Sequence, residues 1–129
     1  MKKILIINSN YYKSISNNLV SSAKEELIKR NFKTYILEVP GVHEIPFSLR
    51  KNIKKYDGFV VLGCVIKGQT PHFDFISQAS TNAIMDLSVL NKKPIGNGII
   101  TCLNMKQAKA RKKKGAEAAD AVNSVLSQK

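Results

Sequence analysis

Four short apolar runs, each followed by a segment with helical spacing, constrain the fold of this chain more than any other feature. The runs are KILIIN at 3–8, TYILEV at 34–39, GFVVLGCVI at 58–66 and IGNGIITC at 95–102. Continuous apolar runs of this length are typical of strands that are covered on both faces. Strands that alternate with helices predict one parallel sheet with helices on both sides. We therefore expect an α/β fold, a three-layer αβα sandwich around a four-stranded parallel sheet.

The helices are predicted by apolar residues that recur at three- and four-residue intervals. A helix is expected to begin near Glu44, with Pro46 in its first turn, where a missing N–H costs nothing. Asn104, with Gln107 three residues later, resembles a capping box that opens a short helix. The remaining helices are expected within 15–27, 71–87 and 116–126.

Length and composition indicate an ordinary globular protein. The chain has 129 residues, of which 43% are hydrophobic and 23% charged, and this fits one domain with one core. No apolar run approaches the roughly 20 residues that cross a bilayer. The start, MKKILIINSN, has too short an apolar run for a signal peptide. We expect a single domain over 1–129, in the cytoplasm, with no membrane partner.

The formal net charge of +12 leaves two interpretations open. A basic chain of this size could bind nucleic acid through phosphate contacts. However, the lysines are spread over several segments, and we find no zinc-finger spacing, RNP-like strand or helix-turn-helix pattern. A lysine-rich solvated surface is the favoured interpretation, and no nucleic-acid partner is expected.

The cysteines and histidines do not predict a metal site. Cys64 and Cys102 each lie in a strand-like apolar run, and free Cys is among the most buried residue types. Without a secretion signal or a CxxC spacing, neither a disulfide nor zinc is indicated. His43 and His72 are too far from these cysteines in sequence to form a local ligand cluster with them.

The loops that follow the strands are where a ligand is expected, because open parallel sheets bind ligands beyond the carboxyl ends of their strands. Gly68, Gln69 and Thr70 precede a helix, where free N–H groups and a hydroxyl would suit a phosphate. His72 follows, and an imidazole is a natural proton carrier. An ordinary strand-to-helix turn with a structural His remains the alternative. The four loops are Ser9–Ser14, Pro40–Glu44, Lys67–His72 and Cys102–Asn104.

Taken together, these loops are similar to one family, the 6,7-dimethyl-8-ribityllumazine synthases. The stretches that carry the resemblance are PGVHEIP at 40–46, YDGFVVLGCVIKGQTPHFDF at 56–75, PIGNGIIT at 94–101 and KKGAEAA at 113–119. The resemblance implies a flavodoxin-like fold. It also implies the condensation of 5-amino-6-(D-ribitylamino)uracil with 3,4-dihydroxy-2-butanone 4-phosphate, the penultimate step of riboflavin synthesis, without metal or organic cofactor.

The resemblance also implies a role for each matching residue. His72 takes the proton-transfer role, and Tyr11 the place of the aromatic ring that stacks on the uracil. Gln69, Thr70 and Arg111 match positions that bind the phosphate-bearing substrate. The other positions that match uracil- or ribityl-binding residues are Val42, His43, Glu44, Cys64, Val65, Ile66, Asn97 and Lys114, and Glu117 matches a charged position near the site.

Several features depart from the family pattern, among them Tyr12, which stands in place of a frequent Asn. His43 and Asn97 stand where the family usually has an aromatic or another apolar residue, and the connection 111–114 is several residues shorter than usual.

The resemblance implies a homopentamer with sites shared between subunits, and possibly a higher assembly. We favour free pentamers or pairs of them. Two alternatives remain: an inactive flavin- or lumazine-binding relative, and a basic nucleic-acid-binding α/β protein.

Overall fold

The computed structural model describes residues 1–68 and 71–128. Within them the chain alternates between strands and helices in the order expected from its sequence. A short 3-10 turn, Val42–Glu44, precedes the second helix. The elements are β1 (Lys3–Ser9), α1 (Lys13–Lys29), β2 (Lys33–Val39), α2 (Ile45–Asn52), β3 (Gly58–Ile66), α3 (His72–Asn91), β4 (Ile95–Cys102), α4 (Met105–Ala110) and α5 (Lys114–Leu126).

The four strands form one parallel sheet in the order β2-β1-β3-β4. At its centre Ile6 of β1 pairs with Ile36 on one side and Val60 on the other. The predicted α/β class and the flavodoxin-like, three-layer arrangement are confirmed. Because all strands are parallel, their carboxyl ends lie at one edge of the sheet, and β4 is one of the two outer strands.

The core consists of two apolar layers, one on each face of the sheet. Alternate residues of β1 point to opposite faces: Ile4 and Ile6 pack with α1 and α5, while Leu5 and Ile7 pack with α2 and α3. Burying one such side chain contributes about 1.5–3 kcal/mol. The helix residues of the first layer include Ile15, Leu19, Ala23, Leu27, Ala119 and Val122, and those of the second include Ile45, Leu49 and Ile84, with Ile53 directly after α2.

The helix starts follow the sequence signals, with one difference. Asn104 caps α4, since its Oδ1 accepts a hydrogen bond from the Gln107 N–H at 2.9 Å. The Gln107 side chain does not return this bond to Asn104, as in a standard capping box, but accepts the N–H of Leu103 at 2.8 Å. At the other predicted start, the 3-10 turn ends at Glu44 and α2 begins at the next residue.

Helix α3 is less buried than its apolar residues suggest. Ile84 is buried as expected, but Phe75 is 67% exposed, Met85 61% and Leu90 80%. One chain therefore covers only a narrow stripe of this 20-residue helix. Exposed apolar surface of this kind often marks an interface with another protein.

The approach of α5 to the outer strand is close enough to require a glycine. A Cβ at Gly96 of β4 would clash with the carbonyl oxygen of Ala118 in α5 and would lie 3.0 Å from Val122 Cγ2. At Gly68, just beyond β3, no atom of the described residues lies within 4 Å of such a position. The contact of α5 with β4 thus depends on the missing side chain.

We expect Gly96→Ala to lower the free energy of unfolding by about 1–3 kcal/mol, the usual cost of overpacking. The added methyl group forces α5 away from β4, and a backbone carbonyl cannot rotate aside. Denaturant unfolding measures the change, with Gly68→Ala as the matched control. Equal stability of the two variants would show that α5 is not held this closely.

Candidate active site

A cavity of about 630 Å³ lies beyond the carboxyl ends of the inner strands. Three of the four predicted loops contribute to its wall, whereas the loop Cys102–Asn104 does not. The lining residues come from the ends of β1, β2 and β3 and from the first turns of α3. They are Ser9, Tyr11, Tyr12, Pro40, Gly41, Val42, His43, Glu44, Cys64, Val65, Ile66, His72 and Ile76.

The 3-10 turn can reach the floor of this cavity because β3 contains a glycine. A Cβ at Gly63 would lie 2.9 Å from Val42 Cγ2 and 3.0 Å from Ser9 Cβ. Val42 is buried at this point. A larger residue in β3 would push the turn outward and displace the residues that follow it, so this contact fixes one wall of the cavity.

Glu44 lies at the end of the same turn. Its N–H donates to the Gly41 carbonyl at 3.1 Å, and its Oε1 would be 3.1 Å from a Cβ at Gly41. The carboxylate is therefore folded back over the glycine, at the rim of the cavity. It is an exposed acceptor, suited to hydroxyl groups of a ligand.

Two tyrosines also line this cavity. The rings of Tyr11 and Tyr12 meet edge to face, with centroids 5.0 Å apart and an interplanar angle of 78°. Burial, with a smaller effect from Tyr11, raises the pKa of the Tyr12 phenol. Tyr11 is 72% exposed, and its free face is available to stack on a flat ring.

Cys64, at the end of β3, presents a buried thiol to the cavity. Burial, with smaller effects from the neighbouring Cys102, raises the pKa of Cys64 to about 12. Both cysteines are free and buried, as expected from their strand positions. Since the thiolate is the nucleophilic form, Cys64 is an inert wall of the cavity at neutral pH.

His72 is the first residue of α3 and lines the same cavity. It is exposed, so its imidazole is accessible to solvent and to a ligand. Gln69 and Thr70, the two positions expected to bind phosphate on this loop, lie outside the described residues.

A second cavity, of about 510 Å³, lies on the outer side of the sheet, between β4 and the connection from α4 to α5. Arg111, Lys113 and Lys114 line it together with the single carboxylate of Glu117. Arg111 Nη1 is 3.5 Å from the Thr101 carbonyl oxygen. Among the described residues, Arg30 is the only cation that forms an ion pair. The three cations of this cavity therefore remain available to an anion.

The two cavities have no lining residue in common within the described parts of the chain. The predicted site residues are thereby divided: Tyr11 and His72 lie in the first cavity, Arg111 and Lys114 in the second. Asn97 lines neither of them. Its Oδ1 accepts the N–H of Ile99 at 2.9 Å, which satisfies one backbone group of this outer strand.

Several lining residues were not predicted from the sequence. Ser9 is 1% exposed, and its Oγ has no hydrogen bond among the described residues. Its position at the end of β1 is one where ligand-binding residues are expected. However, a single serine is too common at such positions to be identified as a site residue from the sequence. Lys113 is one of the lysines that were attributed to a solvated surface, and Ile76 belongs to the helix that was expected within 71–87.

A parallel αβα sandwich with a cavity beyond its strand ends defines the class of α/β proteins that bind small molecules at the sheet edge. The family model described as 6,7-dimethyl-8-ribityllumazine synthase matches residues 1–129. The chain belongs to this family. No helix in the part of the chain that the structure describes is long and apolar enough to cross a membrane.

Curated relatives carry the same description. A 6,7-dimethyl-8-ribityllumazine synthase of Bartonella bacilliformis is 43% identical over 116 residues, which cover 87% of this chain and 76% of the relative. One from Bartonella henselae is 42% identical over 135 residues, covering 98% and 87%. One from Methylorubrum populi is 38% identical over 139 residues, covering 98% and 82%.

Proposed function

We propose that this chain condenses 5-amino-6-(D-ribitylamino)uracil with 3,4-dihydroxy-2-butanone 4-phosphate to 6,7-dimethyl-8-ribityllumazine, releasing phosphate and water. The match of the family model to residues 1–129 carries the proposal. We also infer that these residues form one lumazine synthase domain. Two buried free thiols agree with a reducing cytoplasm as its compartment.

The first cavity suits the uracil substrate. Its volume, about 630 Å³, is within the usual range of roughly 300–1,000 Å³ for small-molecule sites. In this proposal Tyr11 stacks on the pyrimidine ring, and the end of β3 contacts its edge through Cys64, Val65 and Ile66. The turn Val42–Glu44 binds the ribityl chain, where His43 contributes chiefly through its backbone.

His72 carries protons between the reacting groups. The amine of the uracil attacks the ketone carbon of the butanone phosphate, and its two protons leave with the ketone oxygen as water, which gives an imine. Removal of the proton from the neighbouring hydroxyl-bearing carbon then expels phosphate, and the resulting enol becomes a ketone. The ribityl-bearing nitrogen attacks this new carbonyl carbon and closes the ring with loss of a second water. An imidazole can accept and return protons in these steps, while the protein supplies the orientation of both substrates.

The second cavity suits the phosphate group. Arg111 offers a planar fork that matches phosphate oxygens, and Lys113 and Lys114 add charge beside it. The resemblance implied a uracil-binding role for Lys114, but because Lys114 lines the basic cavity and not the first one, we assign it to the phosphate. We propose that Gln69 and Thr70 bind the same substrate from the other side. Among the described residues the basic cavity and the His72 cavity share no lining residue, and we propose that the complete site combines the two cavities from neighbouring subunits.

A ring of five subunits meets this requirement. Each subunit would place its outer strand β4, with Asn97 and the basic connection, against the first cavity of its neighbour. The exposed apolar residues of α3, such as Phe75, Met85 and Leu90, would be covered in the ring. Their burial would help to offset the entropy that association costs. We favour free pentamers or pairs of them over a larger shell.

The function is tested by mixing the purified protein with both substrates and recording the fluorescence of the lumazine product. We expect turnover well above the slow spontaneous condensation. His72→Asn should retain affinity for the uracil but slow turnover, by less than the 10²–10⁴-fold that is usual for acid–base groups, since the substrates also react unaided. Tight lumazine binding without turnover would instead indicate an inactive relative.

Arg111→Ala should raise the KM for the butanone phosphate by about 10- to 100-fold, because a charged hydrogen bond contributes about 1.5–3 kcal/mol. The KM for the uracil should change little. Lys106→Ala is the matched control, since Lys106 is an exposed cation of α4, five residues before Arg111, and lines neither cavity. Equal effects of Arg111→Ala on both substrates would contradict the phosphate role.

The oligomer is tested by light scattering on the native protein. We expect a particle of five chains, or of twice that number, each chain having a mass of 14.3 kDa. A monomer that retains full turnover would contradict the shared site. A particle near sixty chains would contradict only the preference for the smaller assembly.

A further inference from the structure

A serine of α1 is hydrogen-bonded to the basic connection between α4 and α5. The Ser22 hydroxyl oxygen is 2.9 Å from the Lys112 carbonyl oxygen, to which it donates. The same oxygen accepts the N–H of Ala116 at 3.1 Å. The Leu19 carbonyl, 3.1 Å away, is a second acceptor for the single hydroxyl proton, but the shorter contact is with Lys112.

These two bonds enclose two of the three cations that line the basic cavity. Lys113 and Lys114 lie between the bonded groups of Lys112 and Ala116, and Arg111 directly precedes them. The partners are 90 and 94 residues from Ser22 in sequence. One side chain therefore fixes both ends of the short segment that carries the cations.

A glycine inside this segment brings it against α1. A Cβ at Gly115 would clash with the Leu19 carbonyl oxygen and would come within 2.5 Å of Ser22 Oγ. The segment thus rests on the backbone of α1 at Gly115 and is bonded to Ser22 on either side of it. Both contacts involve backbone groups, which leaves the cationic side chains free to point elsewhere.

The cationic side chains contribute little to the shape of the segment. Arg111, Lys112, Lys113 and Lys114 are four consecutive exposed cations, which repel one another, and no described ion pair includes them. Backbone bonds hold the run between its two helices: the Arg111 N–H donates to Ala108, the Lys114 N–H to Arg111 and the Glu117 N–H to Lys113, at 3.1–3.2 Å. Ser22 adds hydrogen bonds that tie this run to α1.

We propose that Ser22 is a positioning residue for anion binding, which holds Arg111 and Lys114 in the geometry that receives a phosphate group. This inference rests on the proposed function for the identity of the phosphate-bearing substrate. Ser22 touches neither substrate in this account; it acts through the backbone of 112–116. Its removal should therefore weaken phosphate binding without changing the binding of the uracil.

Ser22→Ala is expected to raise the KM for the butanone phosphate by about threefold to tenfold, from the typical contribution of lost neutral hydrogen bonds. The kcat at saturation and the KM for the uracil should stay near those of the original protein. Inorganic phosphate, measured by calorimetry, should bind more weakly by a similar factor. Ser21→Ala is the matched control, because Ser21 is an exposed serine on the same helix.

A second readout reports on the anchor itself. The amide of Ala116 should exchange with solvent deuterium faster in Ser22→Ala than in Ser21→Ala. Gly115→Ala supplies an independent perturbation that retains the hydroxyl but displaces the segment from α1. The same selective rise in the KM for the butanone phosphate is expected from it.

The outcomes separate this inference from the proposed function. A protein that binds inorganic phosphate but shows no turnover contradicts the proposed function, and weaker phosphate binding by Ser22→Ala then still supports the anchor. Unchanged phosphate binding in Ser22→Ala, or an equal rise in both KM values, overturns the inference. Circular dichroism of each folded variant verifies that the comparison is between native proteins.

Discussion

The close packing of α5 against β4 and α1 determines where the basic half of the candidate site lies. Gly96 admits the α5 backbone at the outer strand, and Gly115 admits the start of the helix at the backbone of α1. Neither contact tolerates a side chain without movement of a backbone carbonyl. Because Lys114 is the first residue of α5 and Arg111 lies three residues before it, their position follows from these two contacts more than from the sequence around them.

The strand order then separates this half from the first cavity. The inner strands end beneath Tyr11 and His72, whereas β4 and the segment after it form the outer edge of the sheet. The division into an apolar, aromatic cavity and a cationic one matches a flat heterocycle and a phosphate ester. Part of the net charge of +12 lies in the cationic cavity.

Much of the fold could be predicted from the sequence because it depends on local patterns. The apolar runs, the Asn104 cap and the strand positions of the cysteines each rest on a few adjacent residues. The exposure of α3 could not be predicted, because apolar residues at helical spacing do not reveal whether their own chain or another covers them. The bonds of Ser22, across 90 and 94 residues, have no local signal at all.

The candidate site, like the fold, could be predicted from the sequence only in part. The resemblance selected residues of both cavities, but only the tertiary structure shows that one chain keeps Tyr11 and Arg111 in separate cavities. Lys113 was missed because a run of basic residues predicts positive charge but not the direction in which each side chain points. The local bond of Asn97 to Ile99 N–H likewise depends on the backbone of an outer strand, which the sequence pattern does not specify.

The shared site is tested most directly by mixing two variants that are each impaired in a different half. His72→Asn and Arg111→Ala subunits are unfolded, combined in equal amounts and reassembled, and turnover is measured at low butanone phosphate. In a cyclic ring with random order, about a quarter of the interfaces join an intact His72 to an intact Arg111. If the site is shared between subunits, turnover recovers to about a quarter of that of the original protein. Turnover no higher than the mean of the two variants alone would contradict it.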